Sequence, residues 1–133
     1  METSGIRGEQ SVPPAPHDVL DPALALAQMD GDADLLAEMA ELLLRDYPGQ
    51  LSAIRASVAD HDSKRLERAA HKLKGSVGMF GAKQASEFAL RLETIARAGD
   101  LTCAAETLRA LEEALQCLAS ALQGLAAVRH ACT

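Results

Sequence analysis

Residues 108–125 read LRALEEALQCLASALQGL, with leucine at 108, 111, 115, 118, 122 and 125. The steps alternate between three and four. That spacing makes one apolar seam along a helix that packs nearly parallel to its neighbours. Such a seam must be covered, and alone it fits a coiled-coil dimer as well as a bundle. Working back along the chain, three more amphipathic segments can cover it within a single molecule.

The nearest covers residues 83–98, where Ala85, Phe88, Ala89, Leu92 and Ile95 face one way and Gly99 closes the helix. Before it, Leu66, Ala70, Leu73, Val77 and Phe80 form another stripe, opened by Asp62 or Ser63. The longest segment begins at Asp32 and carries Leu36, Met39, Leu43, Tyr47, Leu51, Ile54 and Val58, with a kink expected at Pro48. Asp21 and Pro22 are a cap and first-turn pair for a short helix that ends near Met29, ahead of the Gly31 turn. The pattern predicts an all-α fold, an antiparallel four-helix bundle with a short extra N-terminal helix, over residues 20–127. Residues 1–19, with Gly5, Gly8, Pro13, Pro14 and Pro16, read as a flexible lead-in, and 128–133 as a tail. Because the chain can cover its own leucine seam, a monomer is expected.

Composition agrees. The 133 residues hold no Trp, one Tyr and two Phe, which favours packed helices over a sheet rich in aromatic and β-branched residues. A net charge of −6 argues against nucleic-acid binding, which needs clustered cations for the phosphates. Basic residues gather instead between Lys64 and Lys83, as an anionic group of modest size near that stretch would require. Cys103, Cys117 and Cys132 lack metal-ligand spacing and point to a reduced, cytoplasmic chain, with Cys117 expected to be buried or half-buried on the last helix. No apolar run is long enough to cross a bilayer, so no direct membrane contact is expected. Nucleotide-binding fingerprints are missing, and so is a spacing that would unite His17, His61 or His130 in a metal site. The chain is therefore read as having no ATP site, and not as an enzyme on its own.

His71 stands apart from these. At about 100° per residue it lies well outside the buried stripe of its helix, within roughly 60° of Gly75, Gly78 and Ala82. Lys64 shares that side and Lys74 flanks it. Glycine inside a helix costs about 1 kcal/mol relative to alanine, so two of them on one face imply that something must approach closely. Their missing side chains would let another protein reach the imidazole. The alternative is that Gly75 or Gly78 merely ends the helix and His71 is an ordinary solvated residue.

The run AHKLKGSVGMFGA, residues 70–82, resembles the signature of histidine-containing phosphotransfer (HPt) domains, roughly A-H-x-L-K-G-S-x-x-x-x-G-A. His71, Leu73, Lys74, Gly75, Ser76, Gly81 and Ala82 stand where that pattern places them. The likeness extends from Asp21-Pro22 and the Gly31-Asp32 turn, through Leu92-Glu93 and Gly99-Asp100, to the leucine-rich last helix. Val77-Gly78-Met79-Phe80 departs from commoner forms, and this bears on partner preference.

The resemblance implies that His71 accepts a phosphoryl group on Nε2 and exchanges it with an aspartate of a response-regulator receiver domain. The receiver would supply Mg²⁺, and this chain would bind no cofactor. Neutral imidazole is both nucleophile and leaving group near neutral pH, which suits a relay. Lys74, one turn on, is placed to pair with phosphate oxygens. Lys64, Arg68, Lys72, Gly75, Ser76 and Gly78 are the candidate partner-binding residues, with Lys64 and Arg68 steering and Ser76 either orienting the imidazole or capping locally. Glu93 and Arg97, spaced i to i+4, read as a helix-surface ion pair and rank below Lys74. The chain would be free-standing or belong to a hybrid sensor histidine kinase, in which case the parent kinase could tether it to the inner membrane. A competing reading is an adaptor that uses the same face to bind a receiver or another regulator without carrying phosphate.

Overall fold

Three aspartates start three helices by the same device. Asp21, Asp32 and Asp62 sit in extended backbone, and their carboxylates accept from the amides of Leu24, Leu35 and Arg65 at 3.1, 3.0 and 3.1 Å. Each satisfies an amide that the first helical turn leaves without an intrahelical partner. The structure is a computed structural model that describes the backbone of residues 16–131 and the side chains of residues 18–127. In chain order the helices are α1 Pro16–Val19, α2 Pro22–Gln28, α3 Ala33–Ala59, α4 Ser63–Gly78, α5 Lys83–Ala98 and α6 Ala104–Ala131.

Helices α3 to α6 are the bundle. Each packs on its sequence neighbour, and α3 closes the ring against α6. Short loops make neighbours antiparallel. The core holds Leu36, Leu43, Leu51 and Ile54 of α3, Leu66, Leu73 and Val77 of α4, Leu92 of α5, and Leu111, Leu115, Leu118 and Leu122 of α6. None of the described helices is long and apolar enough to cross a membrane.

Several boundaries differ from those read in the sequence. Pro16–Val19 form a helical turn inside the expected lead-in, packed against α5 and α6, and the rest of that lead-in lies outside the described residues. Leu20 is buried just after it, so burial begins before the bundle does. The last helix, expected from near Asp100 or Thr102, begins at Ala104, because Asp100 accepts from both the amide and the hydroxyl of Thr102, a local turn that competes with the helix. It then continues to Ala131, into the expected tail, since no glycine or proline follows Gly124 to stop it. Helix α3 runs through Pro48, which is exposed.

Cys117 is exposed, which corrects the expectation of burial. It falls between the buried Leu115 and Leu118 in sequence, but on the helix it shares the outer face with the exposed Glu113, Ser120 and Gly124. Phe88, Ile95, Leu108 and Leu125 are only partly buried at the edges of their stripes.

The α4–α5 turn is tied to the start of α2. The amide of Asp21 donates to the carbonyl of Phe80 at 3.0 Å, and Gly81 adopts a φ of 65°. A Cβ at Gly81 would lie 2.7 Å from Asp21 Cβ and 2.9 Å from Leu24 Cδ2. At Gly99, with a φ of 82°, a Cβ would meet nothing within 4 Å. Gly99→Ala is expected to lose about 1 kcal/mol from the left-handed backbone alone. Gly81→Ala should lose about 2 to 4 kcal/mol, since overpacking adds to the same backbone term. Urea denaturation of the two variants measures the gap, and equal losses would mean that the α2 contact is not rigid.

Candidate functional site

Helix α4 presents two faces. Leu66, Ala70, Leu73 and Val77 are fully buried in the bundle, and His71 projects from the opposite side with its side chain 68% exposed. The ring is nevertheless held. Its Nδ1 lies 2.9 Å from Oε2 of Glu93 on α5. A carboxylate can only accept, so Nδ1 is the donor, and in the neutral ring the lone pair is on Nε2.

Glu93 is the unusual residue. Its side chain is only 5% exposed, yet it carries a charge. It occupies the inward side of α5 with Ala85, Ala89 and Ala96, whose small side chains leave room for long ones from α4. Lys74 Nζ donates to Oε1 at 2.8 Å, and Arg97 Nη2 donates to Oε2 at 2.9 Å. A buried carboxylate is costly unless its lone pairs are filled in this way. The bond from Lys74 is the largest influence on Glu93 and holds its carboxyl below the usual range. Burial opposes this, and the His71 contact adds to the lowering. Arg97 reaches across the helix pair as well, with Nε donating to Glu67 Oε2 at 3.1 Å. Glu67 stands one turn before His71, so both helices share one polar chain, Glu67–Arg97–Glu93, with Lys74 and His71 attached to its end.

The site is therefore an exposed imidazole, oriented by a buried acid, with an ammonium group held on the same acid. Nε2 has the geometry of an open nucleophile, and Lys74 supplies positive charge one turn away. A family model for the Hpt domain matches residues 38–129. The chain belongs to the Hpt domain family. Hpt domains are phosphotransfer intermediates in two-component signalling. The HPt domain of a sensor hybrid histidine kinase from Shewanella superposes with a TM-score of 0.72 at 20% identity, over 82% of this chain and 94% of that one. Histidine-containing phosphotransfer protein B from Pseudomonas aeruginosa superposes with a TM-score of 0.75 at 22% identity, over 84% of this chain and 95% of that one. At such identities the likeness is one of fold. No curated protein sequence matches the chain.

The surface of this Hpt domain around His71 follows the helical register only in part. Lys64, Arg68, Lys72 and Gly75 are exposed along α4. A Cβ on Gly75 would meet nothing within 4 Å, so the space above it is open. Gly78 is the last helical residue, and a Cβ on it would lie in ordinary contact with the Ser86 hydroxyl, at 3.8 Å. Ala82, expected near His71, is fully buried. The helix ends before it and the turn at Gly81 redirects the chain, so the angular projection no longer applies. Ser76 donates to the Lys72 carbonyl at 3.2 Å, the local one of its two expected roles.

Glu93 and Arg97 are more than the surface pair the sequence reading allowed. The available signal was the position of Glu93, three residues before Ala96 and four after Ala89, inside an apolar stripe. A carboxylate there needs partners from another helix.

Since the carboxyl of Glu93 is lowered in the fold, its contribution to stability is complete above the ordinary value of 4.5 and is lost as pH falls through the folded value. The difference in unfolding free energy between wild type and Glu93→Gln should thus shift in favour of the variant as pH drops below 4.5. Urea titrations at neutral and acidic pH test this, and a pH-independent difference would show that the carboxylate is not held charged by its neighbours.

Proposed function

We propose that this Hpt domain accepts a phosphoryl group on Nε2 of His71 and exchanges it with the aspartate of a response-regulator receiver domain. The observation that carries this reading is the anchoring of Nδ1 on Glu93, which directs the lone pair of an exposed imidazole outward. In the forward step the Nε2 lone pair forms a bond to phosphorus while the aspartyl oxygen–phosphorus bond breaks, its electrons returning to the aspartate. The ring becomes cationic, and the Nδ1–H bond to Glu93 stabilises that charge. The same bond makes imidazole a competent leaving group when the step is reversed, because the proton remains on Nδ1.

Lys74 neutralises the arriving phosphate oxygens, and Gly75 gives the receiver room. Lys64, Arg68 and Lys72 lie where they can steer an acidic partner. Mg²⁺ belongs to the receiver in this reading, and the chain acts as a cytoplasmic monomer between that receiver and a histidine kinase.

Transfer from a phosphorylated receiver is the direct test. Acid-labile label is expected on wild type and none on His71→Gln. Lys74→Ala should slow transfer by about ten- to hundredfold, the worth of one charged hydrogen bond in the transition state. Receivers that bind without transferring, or equal labelling of His71→Gln, would replace this reading with the adaptor.

Gly75 permits a sharper test, since its two roles have opposite signs. Gly75→Gln should stabilise the fold by about 0.5 kcal/mol through helix propensity, while slowing transfer roughly tenfold or more by holding the receiver off. Thermal melts and transfer rates on one preparation check both, and unchanged transfer would remove Gly75 from the docking face.

A further inference from the structure

The site contains a charge that favours the cationic ring but repels the group the ring receives. A phosphoryl group on Nε2 is dianionic, and Glu93 places a carboxylate directly behind the ring, with Oε2 only 2.9 Å from Nδ1. Lys74 is bonded to the same carboxylate through Oε1 at 2.8 Å. When Lys74 turns another of its three N–H donors toward phosphate oxygens, its charge is divided between two anions and its hold on Glu93 weakens. Glu93, buried to within 5% of complete, is then short of neutralising charge at the moment a second anion arrives.

Arg97 is placed to resolve this. Its Nη2 already donates to Glu93 Oε2 at 2.9 Å, and its Nε is fixed on Glu67 Oε2 at 3.1 Å. Its side chain is 60% exposed and approaches Glu93 from outside the bundle, whereas Lys74, 31% exposed, lies between the helices. A guanidinium has five N–H groups in a planar fork, so it can take a second carboxylate oxygen without giving up the first.

Resting on the phosphoacceptor reading of His71, we infer that Arg97 is a positioning residue that acts through Glu93. It keeps the buried carboxylate neutralised, so that Lys74 can exchange Glu93 for the phosphoryl group. Lys74 is thus shared between two anions, and Arg97 sets how readily it changes hands. Glu67, one turn before His71 on α4, holds the guanidinium in place for that task.

A double-mutant cycle isolates this role. The donor is phosphoramidate, a small molecule that docks on no protein surface. The Nε2 lone pair forms the new N–P bond, the donor's P–N bond breaks, and ammonia leaves with that electron pair. Rates of His71 labelling are compared for wild type, Arg97→Ala, Glu93→Gln and the double variant. Arg97→Ala is expected to slow labelling roughly fivefold or more in the wild-type background, and to have almost no effect once Glu93→Gln has removed the charge. It should also have almost no effect in a Lys74→Ala background, and Arg97→Lys should restore part of the rate. A loss of equal size in all backgrounds would mean that Arg97 touches the phosphoryl group itself, and overturns the inference. So does an Arg97→Ala rate equal to wild type. Absence of label on wild type, with this donor and with receivers, overturns the phosphoacceptor reading and this inference together.

Discussion

A carboxylate buried between two helices is the constraint on which the site is built. Glu93 cannot be solvated where it sits, so its oxygens must be filled by donors from the protein. Two of those donors, Lys74 and His71, stand on α4, and a third, Arg97, stands one turn away on α5. The requirement fixes the helices against each other at that level. It also decides which imidazole nitrogen is protonated. An apolar residue at 93 would leave Nδ1 without this acceptor, and either ring nitrogen of neutral His71 could then carry the proton. Stability alone does not ask for this acid, because hydrophobic replacement of buried ion pairs is often neutral or stabilising. Its presence is more easily understood as positioning.

The outer face of α4 shows the opposite economy. Gly75 weakens its own helix and a Cβ on it would meet nothing within 4 Å, while Lys64, Arg68 and Lys72 stay exposed around it. A helix with a stripe as regular as Leu66, Ala70, Leu73 and Val77 tolerates that loss, because the buried side supplies what propensity does not. The core therefore allows an open surface beside Nε2, as the proposed docking of a receiver requires.

Most of the fold was legible because it is written in short-range patterns. The aspartate caps, the leucine seam and the closing Gly99 act within one or two turns, so spacing alone locates them. Where local competitors intervene, the pattern misleads. The Asp100–Thr102 turn delays α6, and the Gly81 turn sends Ala82 into the core although helical projection sets it beside His71. Cys117 was misplaced by reading sequence neighbours as spatial ones. At the site, His71, Lys74 and Gly75 were legible since all three lie on one helix. Glu93 and Arg97 were undervalued for the reverse reason. Their partners are separated from them by 22, 19 and 30 residues, and i to i+4 spacing within α5 gives a complete, bland account of the pair.

Those long-range bonds change how the site's charge should be counted. By sequence it is a histidine among lysines and arginines, an electropositive patch that would hold phosphate tightly. In the fold, the two cations nearest the imidazole, Lys74 and Arg97, are already committed to Glu93 and Glu67, so the charge directly behind His71 is close to balanced, while Lys64, Arg68 and Lys72 stay exposed around it. A relay benefits from that balance. Strong unpaired positive charge would deepen the well for the phosphohistidine and slow its departure, whereas a cation borrowed from an internal acid stabilises the phosphoryl group only by the difference between two bonds. On the proposed phosphoacceptor role of His71, the intermediate would be held weakly enough to be passed on in either direction, with selectivity left to contacts made by the docking partner.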